Sequence, residues 1–183
     1  MRVIAGELKG RRLKSPEGSD IRPTTDKVKE AVFSMLIPYM DEGFTALDLF
    51  AGSGGLGIEA ISRGAECVFF SDSNRAALKL VKENLEHCEV LDRAVLLLGD
   101  FRSNVKRMSR TADVVFLDPP YADGFILPAL DALDKNEAVR PGGAVVCEHS
   151  FREDLPEEVS GFRTVKSRRY GSIAVTIYER TEK

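Results

Sequence analysis

From residue 44 onwards, short apolar runs alternate with helical patterns, and this alternation constrains the fold more than any other feature of the chain. Apolar runs of four to seven residues predict strands, and the amphipathic or capped segments between them predict helices. Near-continuous apolar strands are typical of a parallel sheet that is covered on both faces. The predicted strands are 44–50, 66–71, 93–98, 113–117 and 144–147, and the predicted helices are 55–63, 74–88, 101–108 and 125–134.

Repeated strand–helix units predict an α/β fold with a Rossmann-like, doubly wound and mostly parallel sheet of seven strands. Two further strands, 163–169 and 173–179, flank a short turn and predict an antiparallel hairpin at the end of the chain. Apolar residues at helical spacing predict an amphipathic helix over 28–39. We expect one compact unit, with a basic β-ribbon or hairpin over 1–23 and the Rossmann-like domain over 24–183.

Charge is distributed unevenly along the chain. Residues 1–29 contain eight lysines and arginines against four acidic residues, whereas the net charge of all 183 residues is −3. A basic arm on an acidic body predicts a local contact with nucleic acid, although a solvated surface would look the same. The chain contains no apolar run of about 20 residues and no secretory signal pattern, so we expect a cytoplasmic protein without a membrane span. Its three cysteines lack metal-like spacing, and no metal site is predicted.

A glycine-rich loop, Gly52-x-Gly54-x-x-Gly57, follows the first predicted strand. Glycines at this point let the backbone approach a ligand, and Asp72, twenty residues on, can accept hydrogen bonds from ribose hydroxyls. These features fit both NAD and S-adenosylmethionine, since both contain an adenosine ribose. Asp48 favours the second, because a carboxylate there can bind an ammonium group and would repel a pyrophosphate.

Asp100 ends the third strand, where its carboxylate can accept from an adenine amine while Phe101 covers the ring, or can simply cap a helix. The complete set of cofactor-binding candidates is Thr24, Asp48, Phe50, Ala51, Gly52, Ser53, Gly54, Leu56, Asp72, Ser73, Asp100 and Phe101.

The segment Asp118-Pro119-Pro120-Tyr121 directly follows the fourth predicted strand. Open α/β sheets bind ligands at the carboxyl ends of their strands, and two prolines make this turn stiff. A carboxylate, a backbone carbonyl and an aromatic ring suit a planar base that carries an exocyclic amine. We expect these four residues to form the catalytic motif.

Together, Asp48–Gly54, Asp72, Asp100 and Asp118–Tyr121 resemble the class I amino-methyltransferases. The flanking segments 1–6, 9–11, 22–31 and 169–171 are similar to the RsmD family of bacterial 16S ribosomal RNA guanine-N2 methyltransferases. The resemblance implies methyl transfer from S-adenosylmethionine to the guanine conventionally numbered 966, by direct in-line displacement. The chain departs from the family at Asp72, where glutamate is more common.

The resemblance also implies RNA contacts by a set of basic residues, namely Arg2, Lys9, Arg11, Arg12, Arg22, Arg168 and Arg169. A small basic footprint favours a partly or fully assembled 30S subunit over naked RNA as the substrate, and we expect a monomer. The sequence leaves three further functions open: an NAD-dependent oxidoreductase, a DNA adenine-N6 methyltransferase and a non-catalytic RNA-binding assembly factor.

Overall fold

The computed structural model describes residues 1–17, 25–120 and 124–182. The strands are β1 (Thr45–Asp48), β2 (Cys67–Asp72), β3 (Ala94–Leu98), β4 (Ala112–Leu117), β5 (Val139–Ser150), β6 (Glu158–Val159), β7 (Phe162–Tyr170) and β8 (Ile173–Arg180). They form one sheet in the order β3-β2-β1-β4-β5-β8-β7-β6. Strands β1 to β5 are parallel, and the last three are antiparallel to their neighbours. The predicted doubly wound sheet is confirmed, with β6 as an additional strand of two residues.

The helices are α1 (Asp26–Leu36), α2 (Gly55–Ser62), α3 (Arg75–His87), α4 (Phe101–Lys106) and α5 (Ile126–Lys135). Thr25 caps α1 by accepting from the backbone N–H of Val28. The helix ends at Leu36, three residues earlier than predicted, and the chain continues as a single 3₁₀ turn that contains Pro38. Proline is tolerated in the first turn of a helix because an N–H at that position would have no partner within the helix. In the described part of the chain, no helix is long and apolar enough to cross a bilayer.

Two apolar cores lie on opposite faces of the sheet. One is packed beneath α1, α2 and α3, and includes Val32, Ile58 and Val81. The other is packed beneath α4 and α5, and includes Val105 and Leu130. The sheet is therefore covered on both faces, which is why its strands lack polar alternation.

The N-terminal ribbon, residues 1–17, belongs to the first core. Its side chains Val3, Leu8 and Leu13 are buried there. The described part of the predicted ribbon or hairpin contains one antiparallel bridge, between Arg2 and Arg12. The expected boundary between residues 23 and 24 lies outside the described residues.

Strand β5 is three times as long as the predicted segment 144–147. The sequence Pro141-Gly142-Gly143 predicted a turn, but these residues lie inside the strand. The pairing with β4 shifts there, because Ala112 is opposite Val139 whereas Val114 is opposite Ala144. The irregularity accommodates the proline and the two glycines without ending the strand.

Candidate active site

Three carboxylates meet at the carboxyl ends of neighbouring strands β1, β4 and β5. Asp48 is opposite Phe116 in the sheet, and Asp118 and Glu148 follow the paired residues Leu117 and Cys147. The side chains of Asp118 and Glu148 line one small cavity below α1 and the start of α2. The other residues of its wall are Val32, Leu56, Phe116, Leu117 and Val146. We call Asp48, Asp118 and Glu148 the acidic cluster.

Burial disfavours the ionised forms of two members of this cluster. It raises the pKa of Asp48 to about 7, with a smaller contribution from Asp72, against the effect of the hydrogen bond from the Gly57 N–H. The pKa of Asp118 is also raised well above its usual range, first by burial and then by the nearby carboxylates of Glu148 and Asp48. Like charges in a dry site attract a cation or a proton, so the cluster suits a positively charged ligand.

The glycine loop between β1 and α2 is held by acidic residues on both sides. The carboxylate of Asp48 accepts from the N–H of Gly57 at 3.0 Å, and that of Asp72 accepts from the N–H of Gly52 at 3.0 Å. Gly54 has a φ of +84°, a conformation that favours glycine. A Cβ added at Gly52 would meet no atom within 4 Å, so the loop exposes bare backbone to open space there.

Asp72 retains acceptor capacity despite holding the loop. Its second oxygen accepts from the N–H of Asn74 at 2.8 Å. Each carboxylate oxygen has two lone pairs, so each can accept one more hydrogen bond. Asp72 can therefore still accept hydrogen bonds from ribose hydroxyls, as predicted for it. Ser73, the next residue, is exposed.

Asp100 and Phe101 have structural roles at the start of α4. Asp100 is the N-cap of the helix, because its carboxylate accepts from the N–H of Arg102 at 2.9 Å. Phe101 is only 5% exposed, and its ring lies 5.5 Å from that of Phe50 and 6.0 Å from that of Phe125. Only a small part of the Phe101 ring is therefore available to cover an adenine as predicted, because the rest of the ring is packed in the core.

The N-terminal ribbon contacts the glycine loop directly, which the sequence did not indicate. The side chain of Asn84, buried on α3, accepts from the N–H of Lys14 at 2.8 Å and donates to its carbonyl and to that of Ser53, both at 3.0 Å. The thioether of Met1 lies against the loop, so a Cβ added at Gly55 would lie 2.6 Å from its sulfur. An asparagine on the inward face of an amphipathic helix was the available signal.

The turn after β4 is described as far as its second proline. Pro119 is buried and Pro120 is exposed. Tyr121, Arg22 and Thr24, all predicted site residues, lie outside the described residues.

Six of the predicted RNA contacts lie on exposed surface, namely Arg2, Lys9, Arg11, Arg12, Arg168 and Arg169. Arg2 also forms an ion pair with Asp26, at 2.9 Å. The guanidinium of Arg169 stacks 3.7 Å from the ring centroid of Phe151, at the end of the sheet where β5 and β7 finish. The six residues form two basic groups, one on the ribbon (Arg2, Lys9, Arg11 and Arg12) and one on the terminal hairpin (Arg168 and Arg169). Both groups are exposed, so a polyanion can contact them.

The side chains of the candidate site do not form a set of metal ligands among the described residues. Within the described ranges, no group of three or more histidine, cysteine or acidic side chains is suited to hold a metal ion. Cys67, Cys88 and Cys147 are free thiols, and burial raises the pKa of each.

A parallel sheet that ends in an antiparallel hairpin, with a glycine loop after β1 and an acid at the end of β2, defines a class I methyltransferase fold. The structure of yhhF from Escherichia coli has this fold, with a TM-score of 0.89 at 27% identity over 100% of this chain and 99% of that chain. The sequence model of the family described as "Conserved hypothetical protein 95" matches residues 1–179. The chain belongs to this family, the RsmD family, as its motifs predicted.

Relatives match along nearly the whole chain. YlbH of Bacillus subtilis (strain 168) is 41% identical over 183 residues, which are 98% of this chain and 99% of that protein. The Haemophilus influenzae protein named "Ribosomal RNA small subunit methyltransferase D" is 33% identical over 188 residues, covering 98% of this chain and 93% of its own length. The similarity therefore includes the N-terminal ribbon as well as the sheet.

Proposed function

We propose that this protein transfers a methyl group from S-adenosylmethionine to the exocyclic N2 of a guanine in 16S ribosomal RNA. The position implied by the family is guanine 966. One observation carries the proposal: the Asp118–Pro119 segment ends β4 beside Asp48 and Glu148, one strand away from the glycine loop. The names of the relatives support it, since the Haemophilus influenzae protein is named as a methyltransferase of small-subunit RNA.

The residues present fit S-adenosylmethionine. Its ammonium and sulfonium groups are positive, and the buried acidic cluster favours positive charge. Asp48 would bind the ammonium group, Asp72 the ribose hydroxyls, and the bare backbone at Gly52 leaves room for close approach. When bound, this cofactor supplies an electrophilic methyl group.

Asp118 and the carbonyl of Pro119 would accept the two hydrogens of the guanine amine. The amine is a poor nucleophile because its lone pair is delocalised into the ring, and two acceptors favour a pyramidal nitrogen with a directed lone pair. Positioning of this kind supplies up to about 7–11 kcal/mol of a barrier. Asp118 also stabilises the positive charge that develops on the nitrogen. Tyr121 would stack on the extruded base.

Binding of the RNA would use the two exposed basic groups. Arg2 and Arg12 face each other across the ribbon, next to Met1 and hence close to the glycine loop. Arg168 and Arg169 lie on the terminal hairpin, at the end of the sheet that holds the acidic cluster. Phosphate contacts at two places would orient the substrate across the site. Their small extent is the reason for proposing a 30S particle, with the protein acting as a monomer in the cytoplasm.

Family membership favours methyl transfer over hydride transfer by an NAD-dependent oxidoreductase. A methyl-transfer assay distinguishes the proposed function from two alternatives, a DNA adenine-N6 methyltransferase and a non-catalytic assembly factor. The protein is incubated with labelled S-adenosylmethionine and unmodified small-subunit RNA or 30S particles, with a DNA control, and the nucleosides are identified by mass. We expect N2-methylguanosine, and sequencing would locate it. N6-methyladenine in the DNA control alone would indicate the adenine-N6 enzyme, and cofactor binding without any product would indicate an assembly factor.

A further inference from the structure

Glu148 lies beside the catalytic motif without belonging to it. It is 7% exposed, it follows Cys147 on β5, and it lines the same cavity as Asp118. Because Leu117 and Cys147 are paired in register, the residues that follow them are neighbours at the end of the sheet. The small cavity beside the catalytic motif therefore has carboxylates from two adjacent strands in its wall.

The third carboxylate has a different position. The side chain of Asp48 reaches the start of α2, where it accepts from the N–H of Gly57. It lies on the side of the glycine loop, where the cofactor is expected. Asp118 and Glu148 instead face the cavity lined by Val32 and Val146. The cluster is thus divided into one cofactor-side acid and two cavity acids.

Two adjacent acceptors match one edge of guanine. Its Watson–Crick edge presents two neighbouring donors, N1–H and the N2 amine, whereas adenine presents an acceptor, N1, next to its amine. An ionised carboxylate accepts hydrogen bonds and donates none, and a cation bound nearby favours that ionised form. Enzymes that extrude a base read this edge by hydrogen bonds.

We propose that Glu148 is a specificity-determining residue whose carboxylate accepts the N1–H of the target guanine while Asp118 accepts from the N2 amine. This inference rests on the proposed function. A base with an acceptor at N1 would place two acceptors face to face and would be rejected. Asp118 alone would accept either exocyclic amine, and Glu148 would make the choice.

The test compares guanine with 2-aminopurine at the target position of the RNA or particle. The analogue keeps the amine at C2 but carries an acceptor at N1. We expect the wild-type protein to favour guanine in kcat/KM by at least about tenfold, since one lost hydrogen bond to a charged group has roughly that effect. Glu148→Gln adds a donor without a large change in shape, so the preference should fall about tenfold or more.

Controls separate this role from a structural one. Glu157→Gln changes an exposed glutamate to the same amide and should leave the preference unchanged. Glu148→Asp keeps a group that only accepts, so it should retain the preference for guanine even if turnover falls. Cofactor binding by calorimetry should be the same in all three variants. The missing O6 of 2-aminopurine affects every variant equally and cancels in the ratio.

An unchanged preference in Glu148→Gln, or a wild-type protein that methylates both bases equally, would overturn the inference. The second result needs no variant, so the proposal can be tested even if the substitution impairs folding. Failure of the proposed function is a separate result, because the wild-type protein would then form no N2-methylguanosine in the guanine substrate.

Discussion

The carboxylate of Glu59 and those of the acidic cluster have different surroundings. Glu59 is fully buried on α2, where it accepts from the N–H groups of Ile4 and Ala5 and pairs with Lys29 and Arg63. Asp48 is also buried, but among the described residues it accepts from one backbone N–H, that of Gly57, and its charged neighbours are acids. Among the described residues, no lysine or arginine forms an ion pair with Asp48 or Asp118.

The difference shows how the chain uses buried charge. At Glu59 the charge is balanced by cationic side chains of the same protein, and the result is attachment of the N-terminal ribbon to α1 and α2. Around Asp48 and Asp118 the neighbouring charges have the same sign, which weakens the protein alone but favours a cationic ligand. The charge of Glu59 is neutralised within the protein, whereas the charges of Asp48 and Asp118 suit a cationic ligand.

Glu59→Gln should produce the largest effect on folding. It leaves the ammonium of Lys29 buried, and burial already lowers the pKa of that group in spite of Glu59. Breaking a buried ion pair costs about 3–5 kcal/mol, which denaturant unfolding would measure. The double variant Lys29→Met/Glu59→Gln removes the unpaired charge and should recover part of this loss. If the double variant lost more free energy of unfolding than the two single variants lose together, the result would contradict a charge balance between Lys29 and Glu59.

Asp118→Ala tests the acidic cluster, where we propose that the charge serves catalysis. The rate of methyl transfer should fall by about 10²–10³-fold or more, the effect of removing one electrostatic contact to a transition state. Cofactor affinity should change little, because Asp48 and Asp72 provide the expected cofactor contacts. Single-turnover kinetics and calorimetry measure the two quantities separately. Loss of cofactor binding in this variant would contradict the division of roles.

The fold was predictable because its signals are local and repeated. The glycine loop, the capping residues and the apolar runs predicted each helix and the parallel strands β1 to β4 within a few residues. The length of β5 was not predictable, since Pro141-Gly142-Gly143 is a turn by local preference and only the pairing with β4 and β8 keeps it in a strand. Strand β6 has two residues, too few for any periodicity.

The positions of the candidate site residues were predictable where they follow a strand end, but contacts between residues distant in sequence were not. Asp48, Asp72 and Asp118 could be placed because parallel strands end at one edge. Asn84 could not, because its partners Lys14 and Ser53 are 70 and 31 residues away. The N-cap role of Asp100 shows the opposite case, in which a local hydrogen bond explains an acid at a strand end.

Cofactor affinity should depend on pH through the acidic cluster. The pKa of Asp48 is raised to about 7, so the protein without cofactor is stabilised by the bound proton at acidic pH and loses that stability as the pH rises towards 7. A cationic ligand has the opposite preference and binds the ionised form. Affinity for S-adenosylmethionine should therefore increase about tenfold from pH 6 to pH 8, with protons released on binding.

Asp48→Asn is the matched control for this dependence. Its amide oxygen can still accept from the N–H of Gly57, but it does not titrate. The variant should bind the cofactor weakly at both pH values and should show a smaller decrease in stability between pH 4 and pH 7. Calorimetry in buffers of different ionisation enthalpy counts the released protons. An unchanged pH dependence in the variant would assign the titration to another group.

Asn84→Ala should have the smallest effect on cofactor affinity. It tests whether the ribbon, which Glu59 holds, is linked to the glycine loop beside Asp48. The substitution removes the hydrogen bonds that join the ribbon to the glycine loop, while the hydrogen bonds from the N–H groups of Ile4 and Ala5 to Glu59 keep the ribbon attached. Coupling through such a contact is about 0.5–2 kcal/mol, which corresponds to cofactor binding weakened by about twofold to thirtyfold. Asn136→Ala, at the end of α5 beneath the opposite core, is the matched control and should leave affinity unchanged. Equal affinities for both variants would mean that the ribbon stabilises the fold without positioning the loop.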